Sequence, residues 1–118
     1  MRSKSSWTIE FYVDARGKCP ARESRDKLSP AERAKLLRSL DLLMEFGPRL
    51  GLPHARPIQD MWELRGGSGR LFYVAHASQR FIVLHGYSKK SRKAPLKEVE
   101  TAKRRWSDFI KDDSCTSR

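Results

Sequence analysis

Cysteine is scarce in this chain: Cys19 and Cys115 stand far apart, and with His54, His76 and His85 they form no CxxC or HxxxH spacing. That pattern argues against a metal site and a disulfide framework, and it fits two unpaired thiols in a reducing compartment. Long apolar runs are also missing, with nothing near the ~18–20 residues that span a bilayer. Residues 1–6 lead straight into an alternating segment rather than the apolar core of a signal peptide, so a cytoplasmic protein is expected. Acidic residues are few: 14 Asp and Glu face 25 Lys and Arg, for a formal charge of +11. Such an excess repels itself in a compact state and is best used by an anionic partner, a nucleic acid backbone or an acidic protein.

What is present fits one domain over residues 1–118, with a core of about 7–111 and a polar tail, 112–118, that has nothing to pack against. Trp7 to Val13 alternates apolar and polar residues, the period of a half-buried strand. A short helix is expected between Cys19 and Leu28, with Pro20 in its first turn. Ser29-Pro30-Ala31-Glu32 is a helix start, and Leu36, Leu37, Leu40, Leu43 and Met44 form one apolar side before Gly47-Pro48 ends the helix. Arg49 to Gln59, with Pro53 and Pro57, is expected to be an extended connection. Met61–Arg65, Arg70–Ala77 and Arg80–Tyr87 read as strands of an antiparallel meander. Pro95 opens a last helix to about Lys111, with Val99, Ala102, Trp106 and Phe109 on one face. This order predicts an α+β fold: an antiparallel sheet of the N-terminal strand plus the three-stranded meander, with two N-terminal helices and a C-terminal helix on one side.

Strand parity puts Arg70, Phe72, Val74 and His76 on one sheet face and Leu71, Tyr73 and Ala75 on the other. With helices for one side only, the other face is expected to be a partly open, aromatic and basic surface suited to RNA, cations for phosphates and rings for bases. Arg65 and Arg70 flank one Gly-rich turn, and Lys89, Lys90, Arg92 and Lys93 follow the last strand close to His85 and Tyr87. Plainer readings stand beside this. Arginines at a hairpin turn and a lysine run after a strand are most often solvated. His85 fits a hydrogen-bonded core histidine equally well, and Trp62 and Trp106 fit core aromatics better than base-stacking platforms. Composition and periodicity support an anion-binding surface without establishing an enzyme.

An ordered set of segments adds to this: Met61-Trp62-Glu63-Leu64-Arg65, then Gly69 to Val74, then Ile82 to Lys90, then the basic helix opened by Pro95. Together with Leu42-Leu43 and the stretch from Phe46 to His54, it resembles the phage-derived HigB-like branch of the RelE/ParE toxin superfamily over most of residues 7–110. The resemblance implies a RelE-like fold and the toxin of a type II toxin–antitoxin system. It implies a ribosome-dependent mRNA endoribonuclease, which inhibits translation by metal-free attack of a ribose 2′-OH on the adjacent phosphate. The implied partners are mRNA on the ribosome and a helix-turn-helix, HigA-like antitoxin, with no cofactor and no membrane. Arg65 and Arg70 match the family's strand arginines, and Lys89 and Lys90 its basic pair after the strand. The implied catalytic set is thus Arg70 for the transition state and Lys89 or Lys90 as base or phosphate clamp. His85 and Tyr87 are further groups able to move a proton. Arg65, Tyr87, Arg92 and Lys93 are the implied RNA contacts. The sequence departs from the family's pattern at Ser24, where an apolar aromatic is usual, and at Ala94, where threonine is common. Two other activities fit the same features: ParE-like inhibition of DNA gyrase and non-catalytic nucleic-acid binding.

Overall fold

The computed structural model describes residues 7–89 and 96–116, with side chains as far as Lys111. Its elements are β1 (Thr8–Phe11), α1 (Pro20–Asp26), α2 (Pro30–Phe46), a 3-10 turn (Gly47–Arg49), β2 (Ala55–Ile58), β3 (Met61–Gly66), β4 (Gly69–His76), β5 (Arg80–Ser88) and α3 (Leu96–Thr116). The α+β class and the helix count match expectation, and α3 continues past Lys111. α2 starts as its sequence dictates: Pro30 occupies the first turn and the Ser29 hydroxyl accepts a hydrogen bond from the Glu32 amide at 3.3 Å. It stops at Gly47, whose φ of 61° is left-handed.

Three features differ from the expected sheet. The segment read as an extended connection contains β2, which pairs antiparallel with β3 through Arg56 opposite Glu63 and Pro57 opposite Trp62. Pro57 hid this strand, because proline is tolerated only where no ladder amide is needed, and β2 is a sheet edge. The five-stranded order is β1-β5-β4-β3-β2, and β1 runs parallel to β5, so the sheet is mixed rather than antiparallel. The long crossover through α1 and α2 permits that parallel pairing.

The third difference is that helices cover both faces. On one face α1 and α2 bury Ala21, Leu36, Leu40 and Leu43 against Leu64, Leu71, Tyr73, Phe81 and Val83. On the other, α3 buries Val99 and Ala102 against Met61, Phe72, Val74, Ile82 and Leu84, with Trp106 and Phe109 packed at the margin. The signal for two-sided burial was Phe81-Ile82-Val83-Leu84, an unbroken apolar run, all of it buried. Leu37 and Met44 remain 40% and 37% exposed, so the apolar side of α2 is wider than the sheet beneath it. Among the described residues, no helix is long and apolar enough to cross a membrane.

α2 lies very close to the β3–β4 hairpin. A Cβ added at Gly66 would come within 2.5 Å of the Leu36 Cα and 2.7 Å of the Leu36 amide nitrogen. α1 approaches β5 in the same way at Gly86, where a Cβ would meet Ser24 Cβ and Oγ at 3.3 Å, so the small Ser24 suits the close packing there. The backbone of α2 cannot give way locally as a side chain would. We therefore expect Gly66→Ala to cost about 1–3 kcal/mol through overpacking, measured as a lowered urea midpoint with an unchanged slope.

Candidate functional site

Strand pairing carries the candidate residues onto the α3 face at one end of the sheet. Arg65 lies opposite Arg70, and Arg70 opposite Tyr87, forming one rung across β3, β4 and β5. The next rung joins Arg56, Glu63, Phe72 and His85 across β2 to β5. A β-bulge makes this second rung possible. Phe72 pairs with His85 but Tyr73 with Val83, so Leu84 is the extra residue and both it and His85 turn towards α3.

Glu63 is the centre of the site. Its side chain has no exposed surface, yet it accepts hydrogen bonds from Arg56 Nε at 2.9 Å and from the Tyr87 hydroxyl at 2.8 Å. The Tyr87 pKa is pushed well up, first by burial and then by the carboxylate, so the phenol keeps its proton. Arg70 is 8% exposed, and its Nη1 donates to the Gly67 and Gly69 carbonyls at 2.8 and 2.9 Å. Its Nε is buried without a hydrogen-bond partner among the described residues. Burial and then the neighbouring Arg65 disfavour the Arg70 charge, though a guanidinium keeps its proton in proteins. The Lys89 amide donates to the Ser68 carbonyl at 2.8 Å, fixing the strand exit over the hairpin turn. The Lys89 pKa is lowered, by desolvation and then by Arg56, Arg70 and Arg65, with Glu63 opposing.

His85 is anchored to α3. Arg105 Nη1 donates to His85 Nδ1 at 2.8 Å and to the Leu84 carbonyl at 3.1 Å. Nδ1 therefore carries a lone pair, the ring proton sits on Nε2, and Nε2–H donates to Glu98. Burial is the largest influence on this ring and lowers its pKa despite the Glu98 contact.

The structure thus brings Arg65, Arg70, His85, Tyr87 and Lys89 to one end of the sheet. Lys90, Arg92 and Lys93 lie outside the described residues. Sequence reasoning missed Arg56, Glu63, Glu98 and Arg105 as site residues. Arg56 was hidden with β2, and Glu98 and Arg105 by the belief that the helices share one face. Glu63 did leave a signal, a carboxylate on the parity of Arg65 in an otherwise apolar strand. Chemically the site offers rigid cationic donors, a protonated phenol and an amine whose pKa is lowered, grouped about one buried anion. Among the described residues, no group of three or more His, Cys, Asp or Glu side chains is placed to hold a metal ion.

Tyr87→Phe leaves one Glu63 oxygen buried without its donor and should cost roughly 1–3 kcal/mol, read by chemical denaturation. The lowered His85 pKa means that the unfolded chain binds more protons than the folded one just below the ordinary value of 6.5. Stability is then full above that value and lost as pH falls from it through the lower folded pKa, and in His85→Gln the urea midpoint should fall less between pH 7.5 and 5.5.

Comparison with known proteins completes the site's context. The family model described as "Phage derived protein Gp49-like (DUF891)" matches residues 24–107, a span that includes every site residue located above. No curated protein matches. A crystal structure of the toxin–antitoxin complex RelBE2 from Mycobacterium tuberculosis contains a chain that superposes with a TM-score of 0.52 at 19% identity, over 71% of this chain and 99% of that one. At that identity the likeness is one of fold. On the family match over most of its length, the chain belongs to the phage-derived Gp49-like family, and its fold is RelE-like.

Proposed function

We propose that this protein is the toxin of a type II toxin–antitoxin pair and acts as a ribosome-dependent mRNA endoribonuclease. The observation that carries the reading is the pair of adjacent rungs that sets Arg65, Arg70 and Tyr87 about the buried Glu63, with Lys89 at the exit of β5 over the hairpin turn. In the proposed reaction a ribose 2′-OH attacks the adjacent phosphorus and the bond from phosphorus to the 5′-oxygen breaks. The departing 5′-oxygen takes a proton from water, so the products are a 2′,3′-cyclic phosphate and a 5′-hydroxyl. Negative charge grows on the phosphate oxygens in the transition state, so preorganised guanidinium donors stabilise it more than the ground state. Arg70 is held in place by the turn carbonyls and supplies that charge, while Arg65 binds the strand beside it. Lys89 accepts the 2′-OH proton or clamps the phosphate, and its pKa is lowered by desolvation and the neighbouring cations. Lys90, Arg92 and Lys93 extend the RNA contact. Tyr87, expected from the sequence to touch RNA, is buried with its one O–H given to Glu63, so it positions that carboxylate rather than stacking on a base or moving a proton. The partners are mRNA in the ribosome and a helix-turn-helix, HigA-like antitoxin whose acidic segment neutralises the basic face.

One observation favours a second reading. Both His85 nitrogens are engaged, by Arg105 and Glu98, so the site has no ready imidazole base. A binding-only activity, on gyrase or on nucleic acid, would use the same cations without cleavage. Ribosomes programmed with an mRNA carrying a single 2′-deoxynucleotide at a mapped cut separate the two. The proposal expects that cut alone to vanish, and unchanged cleavage there would contradict it. Arg70→Lys keeps the charge but loses the planar fork, and it should slow cleavage roughly 10²–10³-fold in single-turnover reactions.

A further inference from the structure

We infer that the cleft between α2 and the loop entering β2 is a second phosphate subsite, holding the RNA backbone beyond the scissile bond. The inference rests on the reading of this protein as one that acts on RNA. The cleft has a volume of about 370 Å³, and Lys35 and Arg38 from α2, His54 from the loop, and Arg65 and Arg70 from the hairpin line it. Among the described residues no carboxylate lines it, and Glu32 of α2 is bound by Lys35 at 3.5 Å and by the Ser68 amide. Glu32 and the buried Glu63 beside Arg70 offset part of the charge of Lys35, Arg38, Arg65 and Arg70, and the cleft stays cationic.

Its floor is rigid. The Arg65 amide donates to the His54 carbonyl at 2.8 Å, and the Ser39 hydroxyl donates to the Arg65 carbonyl at 2.7 Å. Both backbone groups of Arg65 are thus held by opposite walls, which fixes the cleft before any ligand arrives. Arg70 also lines the cleft, held there by the Gly67 and Gly69 carbonyls, and its guanidinium adds fixed positive charge to the wall. Arg65 and Arg70 belong to both the cleft and the rung they form with Tyr87. A single strand can therefore run from one to the other without leaving the cationic surface, which favours RNA over an acidic protein segment.

Fluorescence polarisation of a short 2′-O-methyl single-stranded RNA, which cannot be cleaved by 2′-OH attack, tests the subsite apart from catalysis. The full-length protein is compared with Arg38→Gln, Arg38→Gln/His54→Gln and Lys103→Gln, the last removing a charge from the exposed side of α3. Thermal melts check that each variant is folded. Arg38→Gln should weaken binding about 3–10-fold at moderate salt and make the salt slope shallower by roughly 0.7, one phosphate contact on a single strand. Lys103→Gln should change it less than about twofold. Equal effects of Arg38→Gln and Lys103→Gln would overturn the subsite, leaving diffuse attraction. So would RNA binding untouched by either cleft variant. Weakened RNA binding by the cleft variants, in a protein that cuts no mRNA on ribosomes, would uphold the subsite and overturn the nuclease reading instead.

Discussion

The Glu63 carboxylate has no contact with solvent, and stripping water from such a group costs several kcal/mol unless partners replace it. Arg56 and the Tyr87 hydroxyl each bind one oxygen, so the charge is compensated from two different strands. Much of the basic end of the sheet depends on this arrangement. Arg56, Arg65, Arg70 and Lys89 would repel one another across a bare surface, and one buried anion lets them share it while leaving a positive excess towards solvent. The same bond fixes the phenol of Tyr87 and ties β5 to β3 across the intervening β4.

A second constraint lies at the opposite end of the Glu63 rung. The bulge at Leu84 turns His85 to α3, where Arg105 and Glu98 engage both ring nitrogens. α3 is held by this polar clasp as well as by Val99 and Ala102, and Tyr12 adds a link to the same helix through Asp108 at 3.4 Å. His85 is thus better described as the joint between the sheet and its covering helix than as an exposed proton carrier. On the other face, Gly66 and Gly86 let α2 and α1 approach the backbone closely, so the hairpin that presents Arg65 and Arg70 is backed by packed helix.

Much of this was legible in the sequence. The caps at Ser29-Pro30 and Gly47, the period of the meander and the parity that groups Arg70 with Phe72 all depend on local chemistry, and all reappear in the fold. The order of motifs from Met61 to Lys90 pointed to the family that the chain proves to belong to. What stayed hidden depends on distant pairing. β2 is short and carries Pro57, and it becomes a strand only because β3 offers an edge. The parallel partnership of β1 with β5 is set by a crossover of two helices, and the bulge at Leu84 by the need to seat His85 against α3. Glu63 was visible as a residue but not as a centre, because its partners come from β2 and β5.

A rigid, cation-lined end of a sheet, prepared before its ligand arrives, suits a reaction whose transition state gathers negative charge on phosphate. The most direct test of that account is to map new mRNA 5′ ends in a purified translation reaction, with and without ribosomes. Cuts inside translated codons, bearing 5′-hydroxyl ends and present only with ribosomes, are the predicted result. Intact mRNA in both reactions, from protein shown to be folded, would contradict it.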